Sequence, residues 1–221
     1  MEFNPYQTGY ELVLRNNPSN IQLAKGYGMV AAFLCQYPHM QASRKQKAIT
    51  PNFLQEHVNG FLAGRRSKGP VIPQTIPDER IKDILAVAYH VPADILGDAL
   101  RHHMEAMGAE NFIGWILESY IASEAEPLGW VWCSGAMVRA VDFIRPMGEG
   151  NWRMLQVKNR SNSENSSSSS IRQGTPIEKW FRFYAYNGKT NWGAFPDPEL
   201  RTKLSEENFR EYIINYFSQR S

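Results

Sequence analysis

The sequence predicts an α/β fold in which a small central mixed β-sheet is flanked by α-helices and the N-terminal half is mainly helical. Two observations support this prediction. Helix-start signals and apolar residues at helical spacing fill residues 1–108, whereas short β-prone runs appear only after residue 109. At 221 residues and 43% hydrophobic, the chain can bury one core. We therefore expect a single domain over 1–221, helical in 1–108 and sheet-bearing in 109–221.

The helices of the first half are placed by their caps and their apolar spacing. Apolar residues recur at helical intervals over 21–37. Thr50 is a cap before a proline, and the helix that it starts should end at Gly64. Two further helices open at 77–79 and 92–94. The residues predicted to face inward in the helix after 77–79 are Ile81, Ile84, Leu85 and Ala88.

The second half begins with a helical apolar stripe over 112–121, which a proline and a glycine end. The three β-prone runs that follow it cover 130–133, 137–144 and 152–159. The run 177–184 follows a Thr-Pro cap signal and is predicted as a helix, although its aromatic residues also permit a strand. Ser205 caps the last helix. Strands between helices indicate a small sheet in this half.

Two neighbouring strands carry polar residues that suggest chemistry. Gln156 and Lys158 share one face of their strand, because side chains alternate along a strand. Asp142 is the single acid of the run 137–144, and a turn rich in Pro and Gly at 146–150 predicts a hairpin between the two strands. A carboxylate and a lysine on paired strands, beside a Ser- and Asn-rich loop, indicate a metal-dependent phosphodiesterase.

Such a reaction needs a hard cation and an activated water, and Mg²⁺ prefers oxygen ligands. Asp142 is the predicted first ligand, with the Gln156 amide oxygen and the Val157 backbone carbonyl as further ligands. Lys158 could orient or help deprotonate the water and stabilise negative charge. Glu118, an acid on the apolar stripe, could join the metal network or position Lys158. The alternative for each charged side chain is a solvent-facing position.

The polar segment 159–172 is a candidate DNA-reading loop. It offers the side chains that read base edges and hold phosphates. The residues assigned to DNA in this segment are Asn159, Arg160, Asn162, Ser163, Glu164, Asn165, Ser166 and Arg172. A solvated, flexible loop is the alternative.

Composition and sequence patterns exclude several classes of protein. The net charge of +2 does not by itself require nucleic acid, and the basic clusters at 44–47 and 65–68 suit either solvated loops or phosphate contacts. Cys35 and Cys133 have no metal-ligand spacing, so free thiols of a cytosolic protein are expected. No signal peptide, no membrane span of about 18 apolar residues and no Gly-rich phosphate loop are visible. We expect no membrane partner and no nucleotide cofactor.

Asp142 with Gln156-Val157-Lys158 resembles the PD-(D/E)XK nuclease motif, in which an acid on one strand precedes an acid-x-Lys triplet on the next. Here Asp142 and Gln156 stand 14 residues apart. The run GWILESYI at 114–121 resembles the helix that precedes the first acid, with Glu118 as its glutamate. The runs LQVKNR at 155–160, NSENSSS at 162–168, KWFR at 179–182 and NW at 191–192 resemble the SinI type of restriction endonuclease. Gln156 replaces the usual acid of the motif, and Val141 replaces its proline.

This resemblance implies a restriction-endonuclease-like fold and a type II restriction endonuclease, a hydrolase. The family implies Mg²⁺-dependent cleavage of double-stranded DNA at a short near-palindromic site, GGWCC, where W is A or T. Lys179 and Arg182, within the matching runs, join the residues assigned to DNA. A near-palindromic site implies a homodimer, since two equivalent half-sites face two-fold-related subunits. The expected location is the cytoplasm of a prokaryotic host.

Three other functions remain open from the sequence. The same core could belong to a non-specific or structure-specific DNA nuclease, which would leave no discrete digestion pattern. Gln156 in place of an acid could mark a DNA-binding module whose nuclease site has decayed, and such a protein would bind DNA without nicking it. A helical interaction protein would show no salt-dependent DNA binding.

Overall fold

The structure is a computed structural model that describes residues 2–43, 46–66, 68–74, 78–135, 137–161 and 175–219. The α-helices in these ranges are α1 (Pro5–Asn16), α2 (Ile21–Gln36), α3 (Pro51–Gly64), α4 (Arg80–Ala88), α5 (Leu96–Ala125), α6 (Pro198–Arg201) and α7 (Glu206–Ser218). The strands are β1 (Val131–Trp132), β2 (Phe143–Gly148), β3 (Asn151–Arg160) and β4 (Ile177–Phe183). None of the described helices is long and apolar enough to cross a membrane.

The chain divides into two compact units. Met1–Arg66 and Leu117–Ser221 form the larger unit, which carries the sheet, and Ser67–Ile116 form the smaller, helical unit. The expectation that residues 1–221 act as one domain stays a prediction.

The sheet follows the order of the chain, β1-β2-β3-β4. The first two pairings are antiparallel, and β3 pairs with β4 in parallel, so the sheet is mixed. Helices flank this sheet and dominate the N-terminal half. The predicted fold class is therefore confirmed.

The turn between β2 and β3 is a hairpin, as predicted. Gly148, Glu149 and Gly150 all have a positive φ, at 85°, 51° and 76°. Glycine adopts this left-handed region without the steric penalty that a Cβ brings. Gln36 at the end of α2 holds the turn, since its side chain donates to the Gly150 carbonyl and accepts from Trp152 Nε1 at 2.8 Å.

One face of the sheet packs on the helices of the larger unit. Ile144, Met154 and Ile177 lie side by side in register on β2, β3 and β4. Each is at most 6% exposed and belongs to the core that α1, α2 and α3 also line. The helices α1 and α3 begin at caps, Asn4 and Thr50, whose side chains accept backbone N–H groups.

The opposite face carries an aromatic cluster. Trp180 on β4 lies 5.0 Å from Trp192 in a tilted arrangement and 4.9 Å from Phe195 in an edge-to-face arrangement, measured between ring centroids. Trp192 lies 6.1 Å from Phe209 on α7, and Tyr120 on α5 lies 5.4 Å from the same ring. Aromatic rings at these separations contribute beyond their buried area. This cluster fixes the C-terminal helix to the sheet.

A buried carboxylate lies on the same face. Asp197 is 3% exposed at its side chain, and it accepts from Trp130 Nε1 at 3.0 Å and pairs with Arg145 at 2.8 Å. It also caps α6 through the backbone N–H groups of Glu199 and Leu200. Because the charge is paired and hydrogen-bonded, it can be ionised despite burial.

Three element predictions were wrong. The run 177–184 is a strand, because its backbone pairs with β3 from Ile177 to Phe183 and the sheet buries residues on both of its faces. The helices predicted from 92–94 and over 112–121 are one continuous helix, α5. The second β-prone run forms a strand only from Phe143 instead of from 137, since Ala140 has a φ of 59° that interrupts an extended backbone.

The inward positions predicted for α4 were also wrong. No residue of α4 is buried, and Ile81 and Ile84 are 38% and 56% exposed. The ion pairs of this helix are local: Arg80 pairs with Asp83, and Lys82 pairs with Glu79. The helix itself was predicted correctly, but periodicity cannot tell whether the chain supplies a partner for the apolar stripe.

We expect Asp197→Ala to lower the free energy of unfolding by about 3–5 kcal/mol, because it leaves the partly buried Arg145 without its anion. Urea denaturation measures this loss. Burial raises the pKa of Asp197, but hydrogen bonds from Trp130 and from the amides of Leu200 and Glu199 hold it below its usual value. Its stabilisation is therefore present above about pH 4 and is lost as the pH falls through the lowered pKa.

Glu178→Ala is the matched control, since this acid pairs with Arg153 but is 40% exposed at its side chain. We expect it to cost at most about 1 kcal/mol. An Asp197→Ala variant no less stable than Glu178→Ala would contradict the importance of the buried carboxylate.

Candidate active site

Asp142 lies directly before β2 and is held by three hydrogen bonds. Its backbone N–H donates to the Leu155 carbonyl at 2.9 Å, and its carbonyl accepts from the Cys133 N–H at 2.8 Å. Its side-chain Oδ2 accepts from the backbone N–H of Val157 at 2.7 Å. The carboxylate is thus fixed through Oδ2 between the β1 side and β3.

The Gln-x-Lys triplet surrounds that hydrogen bond. Val157 stands between Gln156 and Lys158 on β3, and the charge of Lys158 acts on the Asp142 carboxylate. Gln156 is opposite Lys179, and Lys158 is opposite Phe181, in the parallel register with β4. Because residues in register point to one face, Gln156, Lys158 and Lys179 share the face that carries Met154.

The environment of Asp142 disfavours its charged form. Burial raises the pKa of Asp142 to about 6, although the Val157 amide and the positive charge of Lys158 act in the opposite direction. Gln156, which is 2% exposed, adds an amide beside it and no second charge. A single carboxylate held in a poorly solvated position gains stability when a cation binds it.

Glu118 is joined to Asp142 through β1. On α5, its Oε2 accepts the indole N–H of Trp132 at 2.8 Å. The next residue, Cys133, is the one whose amide binds the Asp142 carbonyl. Burial and the negative charges of Asp142 and Glu118 raise the pKa of the Cys133 thiol, so this cysteine stays protonated.

The described residues that were predicted to contact DNA lie at the end of β3 and on β4. Arg160 is exposed, with its guanidinium 5.5 Å from the centre of the Phe183 ring. Arg182 is 13% exposed at its side chain; its Nε donates to Asn159 Oδ1 at 2.9 Å, and it also pairs with Glu206. Two residues assigned to DNA therefore bind each other. Asn162, Ser163, Glu164, Asn165, Ser166 and Arg172 lie outside the described residues.

The oxygen donors near Asp142 suit a hard cation. Among the described residues, no group of three or more His, Cys, Asp or Glu side chains converges as a metal cluster. The available donors are one carboxylate, the Gln156 amide oxygen and the Val157 carbonyl. These are oxygen ligands of the kind that Mg²⁺ accepts together with water molecules. The residues present fit such an ion.

Sequence reasoning missed Trp132 as the partner of Glu118. It also missed the contact between the Asp142 carboxylate and the Val157 amide. The one available signal was the tryptophan-containing β-prone run directly after the helix of Glu118, since a buried indole needs an acceptor.

Comparison with known proteins identifies the family of this chain. A sequence model of the SinI restriction endonuclease family matches residues 15–219, a range that includes the whole sheet. The type II restriction enzyme SinI of Salmonella infantis is 40% identical over 203 residues, which are 89% of this chain and 88% of that enzyme. The type II restriction enzyme Eco47I of Escherichia coli has the same identity and coverage. The chain therefore belongs to the SinI restriction endonuclease family and is a type II site-specific deoxyribonuclease.

Proposed function

We propose that this enzyme hydrolyses double-stranded DNA with Mg²⁺ held at Asp142, and that it cuts at a short near-palindromic site, GGWCC. The observation that carries the proposal is the Asp142 carboxylate fixed by the Val157 amide between Gln156 and Lys158. The family shown by the comparisons supports cleavage at a defined site. The cytoplasm of a prokaryotic host is the proposed place of action.

In this proposal the protein supplies ligands, orientation and positive charge. Asp142 Oδ1, the Gln156 amide oxygen and the Val157 carbonyl would hold Mg²⁺, which when bound polarises the phosphate and lowers the pKa of water. Lys158 orients the attacking water and stabilises the negative charge that develops as the leaving oxygen departs. Glu118 acts through its hydrogen bond to Trp132, which keeps the strand beside Asp142 in place.

For DNA, we propose contacts from Asn159 and Arg160 at the end of β3, from Lys179, and from the segment 162–172. The contacts of Arg182 suggest that it helps DNA binding by orienting Asn159, since its guanidinium already pairs with Glu206. The second candidate function is a DNA-binding module without cleavage. The observation that favours it is Gln156, whose neutral amide stands where the motif has a second acid beside Asp142.

We also propose that two copies pair on DNA, one for each half-site. The helix α4 supports this, because Ile81, Ile84 and Val87 recur every three residues and are 38%, 56% and 76% exposed. An apolar stripe left exposed on a helix marks an interaction surface. A second copy covering α4 would bury it.

The main experiment is digestion of a plasmid that contains GGWCC sites, with Mg²⁺ or with EDTA, beside a plasmid that lacks the site. We expect discrete Mg²⁺-dependent fragments from the first plasmid alone. Asp142→Ala and Lys158→Ala should each lower the cleavage rate by at least about 10²-fold, because each removes a group that acts on the phosphate or the water. Lys189→Ala, which changes an exposed lysine in a turn, is the control and should cut normally.

The other outcomes separate the alternatives. A smear from both plasmids identifies a nuclease without site preference. Discrete fragments whose ends map to another sequence overturn only the proposed recognition site, GGWCC. Salt-dependent binding without any nick would establish the decayed module. Wild-type rates in both variants would show that Asp142 and Lys158 have been wrongly assigned.

The raised pKa of Asp142 makes a second prediction. The folded state binds the proton of this carboxyl more tightly than the unfolded state does. The free energy of unfolding therefore falls as the pH rises from about 4, the pKa of the unfolded state, to about 6, the pKa of the folded state. Asp142→Asn removes this cost and keeps an acceptor for Val157. We expect it to be about 1–3 kcal/mol more stable than the wild type at pH 8 without metal, measured by urea denaturation.

Mg²⁺ should raise the melting temperature of the wild type but not that of Asp142→Asn, since binding to the folded state alone stabilises it. The Mg²⁺ concentration needed for half of this effect should increase below about pH 6, where protons compete for Asp142. An Asp142→Asn variant that is less stable, or that still responds to Mg²⁺, would argue against this metal site.

For the paired state, Val87→Asp should weaken self-association at least about tenfold, because it places a charge in the proposed interface. Analytical ultracentrifugation measures the association constant. Tyr186→Asp is the matched control, since Tyr186 is 81% exposed and lies in the larger unit. Unchanged pairing of Val87→Asp would place the interface elsewhere, and a wild type that is monomeric even on DNA would contradict pairing.

A further inference from the structure

Arg65 is a largely buried cation, which neither a solvated loop nor a phosphate contact at the basic cluster 65–68 would predict. It follows the last residue of α3, and its side chain is 13% exposed. Its Nε is buried and makes no hydrogen bond to the described residues. The guanidinium lies between two rings, 4.6 Å from the centre of Phe61 and 5.4 Å from that of Trp132. A solvated arginine would occupy no such position.

The polar contacts of Arg65 converge on the backbone of Trp132. Its Nη2 donates to the Trp132 carbonyl at 2.6 Å and pairs with Glu126 at 2.7 Å. The same Glu126 oxygen accepts the Trp132 N–H at 3.2 Å. Arg65 and Glu126 thus hold both backbone groups of one residue, and each neutralises the other's charge.

The contacts of Arg65 and Glu126 act on β1, a strand with few backbone hydrogen bonds of its own. β1 has two residues and pairs only with β2 among the described strands. The end of α3 adds two contacts just beyond it, since Ser134 Oγ donates to the Phe61 carbonyl at 2.9 Å, and Gly64 lies against Gly135. A Cβ on Gly64 would stand 2.4 Å from the Gly135 nitrogen, so the two backbones meet directly.

The gripped segment connects to both acids of the candidate site. The Trp132 indole N–H binds Glu118 at 2.8 Å, and the Cys133 amide binds the Asp142 carbonyl at 2.8 Å. A shift of Trp132 would therefore move Glu118 and Asp142 relative to each other. Catalytic groups have to be held within a fraction of an ångström, and a misplacement of about 1 Å can cost about 10²-fold in rate.

We propose that Arg65 is a positioning residue for DNA cleavage, which sets the placement of Asp142 and Glu118 by clamping the segment Trp132–Cys133 and makes no contact with DNA. The inference rests on the proposed function, because it assigns the two acids to the reaction. Arg66, the exposed neighbour in the same cluster, has no part in the clamp.

The test compares Arg65→Met and Arg65→Lys with the control Arg66→Met. Single-turnover cleavage of a duplex containing the site is measured at saturating enzyme and Mg²⁺, and the Kd for the same duplex is measured in Ca²⁺. Arg65→Met should lower the cleavage rate by about 10–10²-fold and leave Kd unchanged. Arg65→Lys should recover part of the rate, since an ammonium keeps the charge but loses the planar fork. Arg66→Met should keep the wild-type rate.

Because Arg65→Met could fail to fold, Trp132→Phe supplies an independent variant. It keeps an aromatic ring beside Arg65 but removes the indole N–H that binds Glu118, together with part of the bicyclic ring. We expect a lower rate, an unchanged Kd, and a loss that does not add to that of Glu118→Ala, since both variants break one contact.

Two results would overturn the inference. A folded Arg65→Met that cuts at the wild-type rate would show that the clamp does not affect cleavage. A higher Kd for DNA with an unchanged cleavage rate would make Arg65 a phosphate contact. A wild type that never cuts removes the proposed function and this inference together. A wild type that cuts beside unaffected Arg65 and Trp132 variants removes this inference alone.

Discussion

The hydrogen bond from the Val157 amide to the Asp142 carboxylate is the constraint on which the geometry of the candidate site depends. The bond lies at the point where the pairing between β2 and β3 begins. There the Asp142 side chain, instead of a backbone carbonyl of a longer β2, accepts the Val157 N–H. The bond fixes the carboxylate without neutralising it. Burial then keeps the pKa high, which leaves the acid in need of a cation.

Two carboxylates beside one sheet are compensated to different extents. On one face, Asp197 is surrounded by donors and cations, so its pKa is lowered and its charge supports the fold. At the other site, Asp142 has one amide and the more distant charge of Lys158, and its pKa is raised. The difference is the number of compensating groups. A carboxylate compensated by its own chain stabilises structure, whereas an undercompensated one is suited to binding a ligand.

Local patterns in the sequence predicted most of the elements and the shared strand face of Gln156 and Lys158. Period-two alternation placed these side chains on one face, and caps at Thr50 and Ser205 placed helix starts. Pairing between distant segments was beyond such patterns. The run 177–184 has aromatic residues that suit a helix or a strand, and the choice depended on parallel pairing with β3. The contacts of Glu118 with Trp132 and of Arg65 with the same residue join separate elements, which no local spacing encodes.

The two cysteines differ in a way that has a practical use. Cys35 is exposed on α2, whereas Cys133 is 6% exposed and lies in the segment that carries the Asp142 contact. A thiol reagent added to the folded protein will therefore modify Cys35 first. Reaction at Cys133 requires the segment after β1 to open, so its modification rate measures how often the segment beside Asp142 opens. The natural sequence thus contains both a labelling position and a reporter of local structure beside Asp142, without any engineered residue.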